Sequence, residues 1–266
     1  MTHDVRVPLP DTRYLDCLAA DFDRLRSVAT AADTTAVVPS CPDWTVADLV
    51  RHVGQVYVDK THAMREGTES EWPPKGTADA EPFDLLDRAY ADLRGELTTR
   101  APGDPAGGWY KPDRSVGFWI RRMAQETVIH RIDAELAAGE PIAPVPEDLA
   151  IDGIDELLKV FTAYGVTEWA EYFADALAAS PGRTYEIRAL GTKAAAWRIR
   201  TGPGQFTVED GTGDGTAADT VLTGSPQALL LDLWNRRSAG DPSGVTVTGA
   251  PEAVAELRAC LATATQ

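Results

Sequence analysis

The sequence predicts a two-domain α+β protein: an N-terminal four-helix bundle, then a C-terminal α+β domain with an antiparallel sheet and covering helices. Two observations predict it. Through about residue 150 the apolar residues recur at helical spacing, whereas from Thr184 onward they alternate with period two. The length of 266 residues is also enough for two ordinary domains with cores of their own. The division is set at 1–150 and 151–266, with a linking helix at about 152–179.

In the first domain Leu15, Leu18, Phe22, Leu25 and Val28 form one apolar stripe, with Asp11 or Thr12 placed to cap it. After a polar loop, Thr45 and Asp48 resemble a capping box, so a second helix starts at Val46, with Trp44 in the staple position. Leu49, Val53 and Val56 face inward, and His52 lies beside them. The stretch from Gly67 to Ala80 is rich in Pro, Gly and Thr and reads as a loop. Phe83, Leu86, Tyr90, Leu93 and Leu97 mark a third helix closed by Pro102 and Gly103. A second loop at Gly103–Asp113 carries Trp109 and Tyr110, which either cover a bundle end or face a substrate. The fourth helix runs from Ser115 to a stop at Gly139. On it Trp119, Met123, Glu126, His130 and Asp133 share a stripe, while Ile120, Val128, Ile129, Ile132 and Leu136 make the other sides apolar. Such a helix is mostly buried, so its polar residues need partners.

In the second domain the linking helix, with Leu157, Leu158, Phe161, Tyr164, Trp169, Phe173 and Leu177, is interrupted near Gly165. Strands follow in which Tyr185, Ile187 and Ala189, then Ala195, Trp197 and Ile199, then Phe206 and Val208 alternate. Turns fall at Gly191, Gly202–Gly204 and Gly211–Gly215. Two late phrases, VLTGSP at Val221 and VTVTGAP at Val245, each lead a short strand into a helix with proline in its first turn.

Composition narrows the function. Hydrophobic residues make up 44% and charged residues 25%, as in a folded globular protein. A net charge of −16 argues against nucleic-acid or anionic-membrane partners. Cys17, Cys41 and Cys260 are scattered and contain no CxxC pair, so they read as reduced thiols of a cytoplasmic protein. Neither a signal core nor a run long enough to span a membrane is present.

The chemistry concentrates on the fourth helix. Glu126 and His130 are one turn apart, so a carboxylate and an imidazole can converge on one ion. Of the four histidines, only His52 and His130 lie on apolar helical faces. His62 would be rotated about 280° from His52 and displaced by roughly 15 Å, so the two cannot share a metal. His3 lies in the irregular lead. His52, Glu126 and His130 are therefore the candidate ligands, a set that suits zinc with an open position. Asp133 is spaced to orient His130 from behind. The plainer alternative is a satisfied core histidine, with Glu126 and His130 a structural hydrogen-bonded pair answered by Arg122.

Four phrases carry a resemblance over nearly the whole chain, in order: CPDWTVADLVRHV, ETVIHRIDAELAAGEP, DGIDELL and LLLDLWNRR. Together they resemble the mycothiol-dependent maleylpyruvate isomerase family. That family combines a DinB-like metal-binding bundle with a C-terminal domain like sterol carrier proteins. The resemblance implies that His52, Glu126 and His130 bind a divalent metal, taken as zinc. It also implies that mycothiol is the thiol cosubstrate, and that Arg236 or Arg237 takes part in activity. Asn235 departs from the family pattern, where a Gly is common. The implied activity is metal-activated thiolate addition to an electrophile, ending in cis–trans isomerisation or in S-transfer. The alternatives are a non-catalytic small-molecule binding or regulatory protein, and a thiol-independent metallohydrolase. The implied partners are a small-molecule substrate and a thiol, with the chain a monomer or weak homodimer.

Overall fold

The computed structural model describes residues 8–213, 215–237 and 244–265. The chain forms two compact units, Pro10–Ala143 and the residues from Pro144 on, with Leu9 assigned to the second.

The first unit contains four long helices: α1 (Asp11–Ala31), α2 (Val46–Glu66), α3 (Pro82–Thr99) and α4 (Val116–Ala138). Local chemistry sets their ends. Thr45 and Asp48 complete the expected capping box: Asp48 N–H donates to Thr45 Oγ1 at 3.2 Å and Thr45 N–H to Asp48 Oδ2 at 3.0 Å. Ser115 Oγ accepts from Phe118 N–H at 3.2 Å. Gly67 and Gly139 end α2 and α4 in the left-handed region, at φ 77° and 68°. A short antiparallel pair, β1 (Val37–Val38) and β2 (Cys41–Thr45), follows the polar loop, where the sequence marks no strand. β1, with two residues, is too short to carry a period.

α1 packs along α4 and α2 along α3, while α2 also touches α4. At the centre the Phe22 ring of α1 stacks on Tyr90 of α3 at 3.5 Å, and Tyr57 of α2 meets Tyr90 at 6.0 Å. The Tyr57 hydroxyl, fully buried, lies 2.6 Å from Thr127 Oγ1 of α4. Thr127 spends its own proton on the Met123 carbonyl, so Tyr57 is the donor. α4 is buried on nearly every side, and its charged residues are paired accordingly. Arg131 binds Asp21 of α1 at 3.0 Å and Glu135 at 2.7 Å, and Glu135 also accepts from Arg24 of α1 at 2.8 Å.

The second unit opens with α5 (Glu147–Glu156), which continues through a π-helical turn (Leu157–Ala163) into α6 (Tyr164–Glu168). The helix thus begins earlier than residue 152. It breaks at Trp169, with φ −134° and ψ 48°, and not at Gly165. Gly165 stays helical, and the Phe173 ring of α7 (Ala170–Leu177) lies against it, at 3.0 Å from where a Cβ would stand, so a larger residue would crowd the ring. Next come β3 (Thr184–Ala189), β4 (Ala195–Gly202), β5 (Gln205–Asp210) and β6 (Thr220–Gly224). They are followed by α8 (Pro226–Leu233), β7 (Val245–Gly249) and α9 (Pro251–Ala264). Both echoing phrases are strand-to-helix junctions, and their strands pair with each other, Val221 opposite Thr248. Trp197 Nε1 donates to Asp155 of α5 at 2.9 Å, which ties a helix to the sheet.

The sheet order is β5-β4-β3-β6-β7, and one ladder differs from the expected antiparallel pattern: β3 and β6 run parallel. The β5–β6 connection must therefore pass back over β4 and β3. Arg198 of β4 pins it by donating to the carbonyls of Thr212 and Thr216, each at 3.0 Å. Arg198 is in turn paired with Glu186, its cross-strand partner on β3.

The Tyr57–Thr127 bond can be tested by unequal truncation. Thr127→Val orphans a buried hydroxyl and should destabilise by about 1–3 kcal/mol, whereas Tyr57→Phe should cost only about 0.5–1.5 kcal/mol. Urea unfolding of both variants measures the difference.

Candidate metal centre

The capping box fixes the phase of α2, so Leu49 and Val53 are fully buried and His52 emerges beside them at the α4 face. On α4 the four-residue spacing stacks Glu126 below His130. Glu126 Oε1 lies 3.1 Å from His130 Nε2 and 3.6 Å from His52 Nε2. One donor atom from each of the three lies within 4.8 Å of the others, and among the described residues this is the only such group. The two imidazole rings meet edge to face at 5.1 Å.

Two further contacts orient the donors. The Arg122 guanidinium donates to Glu126 Oε2, leaving Oε1 turned toward the imidazoles. His130 Nδ1 lies 2.9 Å from Asp133 Oδ2, an arrangement that keeps a proton on Nδ1 and makes Nε2 the nitrogen that offers its lone pair once the imidazolium gives up a proton. Asp133 is fully buried and also accepts from Ser40 Oγ, in the turn between β1 and β2, at 2.5 Å. Burial alone would raise the Glu126 pKa, but the charge of Arg122 and the bonds from His130 and His52 hold it well below the ordinary carboxylate value. Burial would likewise lower His130, yet Glu126 and Asp133 raise it to about 9. His52 is pushed down by its burial, with Glu126 opposing.

Two nitrogens and one ionised oxygen converging on a common point are the donor set a divalent ion of borderline softness accepts. The rings next to these donors are Trp44, 4.5 Å from His52 and 6.2 Å from His130, and Trp72, 5.8 Å from His52. Trp44, read from the sequence as a helix staple, thus stands at the candidate site. Trp72 and Ser40 gave no sequence signal, because both lie on connections without a period. Trp109 and Tyr110 pack on Phe118 at 5.9 and 5.1 Å. His62 is half-buried further along α2, outside the group, and His3 lies outside the described residues. Cys17, Cys41 and Cys260 are thiols outside any disulfide.

Arg236 and Arg237 belong to the second unit. Arg236 is buried, and its Nη1 donates to the Trp234 carbonyl at 2.7 Å. Arg237 is more exposed and pairs with Asp232 at 3.3 Å, as Arg258 also does. Between α8 and these arginines Asn235 sits at φ 55°, a left-handed backbone that glycine adopts freely and asparagine tolerates. The site that departs from the family pattern is thus one where either residue fits.

The His130 shift makes a pH prediction for the metal-free protein. A folded-state pKa of about 9, above the ordinary 6.5, adds stability that is fully present below pH 6.5 and lost as pH rises through about 9. Thermal melts across that window should show wild type losing an increment that His130→Gln does not have to lose.

Two family models match the chain: the mycothiol maleylpyruvate isomerase N-terminal domain over residues 15–135, and the MDMPI C-terminal domain over residues 148–256. Among solved structures, the mycothiol-dependent maleylpyruvate isomerase aligns with a TM-score of 0.62 at 15% identity, covering 92% of this chain and 96% of its own. A histidine-to-alanine mutant of that enzyme aligns with a TM-score of 0.59 at 15% identity over the same shares of 92% and 96%. Sterol Carrier Protein 2 from Yarrowia lipolytica, in its apo form, aligns at 16% identity over 45% of this chain and 92% of its own, with a TM-score of 0.30. At 15% identity the likeness to the isomerase structures is one of fold. No curated protein matches the chain. No helix among the described residues is long and apolar enough to cross a membrane. With both models matched in order, and together spanning most of its length, the chain belongs to the mycothiol maleylpyruvate isomerase family.

Proposed function

We propose that the protein is a metal-dependent, mycothiol-using enzyme that sets a thiolate against an electrophile, ending in cis–trans isomerisation or in S-transfer. The observation that carries this reading is the convergence of His52, Glu126 and His130 donor atoms within 4.8 Å, in a chain of this family. Those three residues would hold the ion, and zinc suits them best. Bound there, a divalent ion supplies a Lewis acid that keeps a thiol ionised near neutral pH. The chain's own residues do the rest. Arg122 keeps the second oxygen of Glu126 engaged, and Asp133 keeps the His130 proton on Nδ1, so that the nitrogen and oxygen lone pairs face one point.

For the isomerase reading, the mycothiol sulfur forms a C–S bond to one carbon of the cis double bond, and the π pair moves onto the conjugated carbonyl as an enolate. Rotation about the new single bond and return of that pair expel the thiolate and leave the trans alkene. In S-transfer the C–S bond is kept, and the enolate carbon takes up one proton, which balances the one the thiol lost on ionising. Maleylpyruvate, the substrate named for the solved relative, is the first acceptor to try. Arg236 and Arg237 are proposed as the groups for a substrate carboxylate or the enolate. Of the two, the more exposed Arg237 has the freer fork for bidentate binding. Substrate choice, of thiol as well as of acceptor, is assigned to the loops Gly67–Ala80 and Gly103–Asp113 and to the second unit. Cys17, Cys41 and Cys260, none of them in a disulfide, fit a cytoplasmic setting, with the chain as a monomer or weak homodimer.

Elemental analysis of protein prepared without chelator tests the reading: one equivalent of metal is expected in wild type, and loss of it in His52→Ala, Glu126→Ala and His130→Ala. Asp133→Asn should weaken metal binding by roughly 10–100-fold. Wild type that holds no metal and gains none on reconstitution overturns the proposal, and turnover that ignores added thiol would instead mark a metallohydrolase.

Uptake must also displace the His130 proton. Apparent metal affinity should therefore fall about tenfold for each pH unit below about 9, with proton release seen by calorimetry in buffers of different ionisation enthalpy. Arg237→Ala should raise KM for a carboxylate acceptor by about tenfold or more while leaving the metal in place.

A further inference from the structure

Trp72 is a large apolar side chain left 53% exposed, and its ring stands 5.8 Å from His52. The chain around it is held firmly. Beyond Gly67 the backbone folds back along α2, and Ser70 donates to buried Asp59 from both its N–H, at 2.8 Å, and its Oγ, at 2.6 Å. Lys60 braces the same point, 2.7 Å from Asp59 and 3.2 Å from Glu69. On the other side of Trp72, buried Thr77 accepts from Gln55 Nε2 at 3.2 Å and donates to the Pro74 carbonyl at 2.6 Å. Gln55 and Asp59 follow His52 by three and seven residues, so the anchors and His52 share one side of α2. Buried polar groups thus fasten the strap on both sides of an indole that is itself left in water. That arrangement stabilises the loop without using the tryptophan as its core.

Resting on the proposed function, we infer that Trp72 is a specificity-determining residue that receives the sugar part of the thiol cosubstrate. Mycothiol is an N-acetylcysteinyl amide of a glucosaminyl inositol, so its rings lie beyond the sulfur by the length of the cysteinyl arm. A sulfur held at the His52–Glu126–His130 centre leaves those rings to the adjoining surface, and Trp72 is the exposed ring there. A flat indole suits the C–H face of a sugar, and its two torsions lose little entropy on contact. An acceptor such as maleylpyruvate is anionic and has no such face, and the negative face of an aromatic ring disfavours it. The ring therefore selects the thiol rather than the electrophile.

The test compares metal-loaded wild type with Trp72→Ala, Trp72→Gln and Trp72→Phe. Its readouts are kcat/KM for mycothiol relative to N-acetylcysteine, and calorimetric titration with glucosaminyl inositol, which lacks the thiol. The expected result is a fall of about tenfold in that ratio and in glycoside affinity for Trp72→Ala and Trp72→Gln, with most of both kept in Trp72→Phe. Metal content and melting temperature show whether each variant is intact. An unchanged ratio or glycoside affinity in an intact Trp72→Ala or Trp72→Gln overturns the inference, as does wild type that binds no glycoside. Wild type without thiol-dependent turnover would fail the proposed function by itself. Glycoside binding that still depended on Trp72 would leave this inference standing.

Discussion

The structure of the first unit depends on one constraint: α4 is buried on nearly all sides, so its polar groups have no water to turn to. An unpaired buried charge costs several kcal/mol, which makes every charged residue on that helix a demand on its neighbours. Two sets of partners answer it. Toward α1, Arg131 and Glu135 take Asp21 and Arg24 and close a network that joins two helices. Toward α2, Glu126 and His130 take His52 and form the donor cluster. The same burial that orders the bundle therefore concentrates the chemistry at one place.

Glu126 and Asp133 are both carboxylates on α4, but their surroundings give them different tasks. Asp133 has one oxygen on His130 and the other on Ser40, so it fixes a ring and a turn. Glu126 has one oxygen on Arg122 and one facing the imidazoles, so it keeps a lone pair directed at their common point. Arg122 matters for a second reason. Two histidines and a bare buried carboxylate would leave the carboxylate poorly solvated, and a guanidinium one turn away keeps it ionised despite burial. In the metal-free protein the His130 proton takes part in the same balance, and for that reason its pKa rises.

Much of this was legible in the sequence because the signals were local. The Thr45–Asp48 box, Ser115 and Gly139 mark helix ends through bonds spanning three or four residues. Glu126 and His130 share a helix, and His52 follows from the small number of histidines and their faces. What escaped was set by contacts distant in sequence. β1 is two residues long, and the parallel pairing of β3 with β6 joins segments separated by two other strands. No period distinguishes the Trp169 break from the helical Gly165 four residues before it, where the absent side chain leaves room for the Phe173 ring. Ser40 and Trp72 are invisible for the same reason: each reaches the candidate site from a connection, and only the fold brings it there.

The short repeat of VLTGSP and VTVTGAP is easily mistaken for a duplicated unit, and the structure gives it a more economical cause. A β-strand that must hand over to a covering helix faces two problems at once, the unsatisfied N–H groups of the helix start and the turn out of the sheet. Proline at the first helical position removes one donor and fixes the backbone, and in the first case Ser225 satisfies another at Ala228, 3.2 Å away. Because β6 and β7 are neighbours and antiparallel, the two junctions come from opposite ends of adjacent strands. Similar phrases here reflect the same physical problem solved twice, once at each end of a ladder. The residues that follow are free to differ: α8 is followed by Asn235 and the arginine pair, whereas α9 carries Glu256, which gathers Ser180, Tyr185 and Thr201 around one carboxylate.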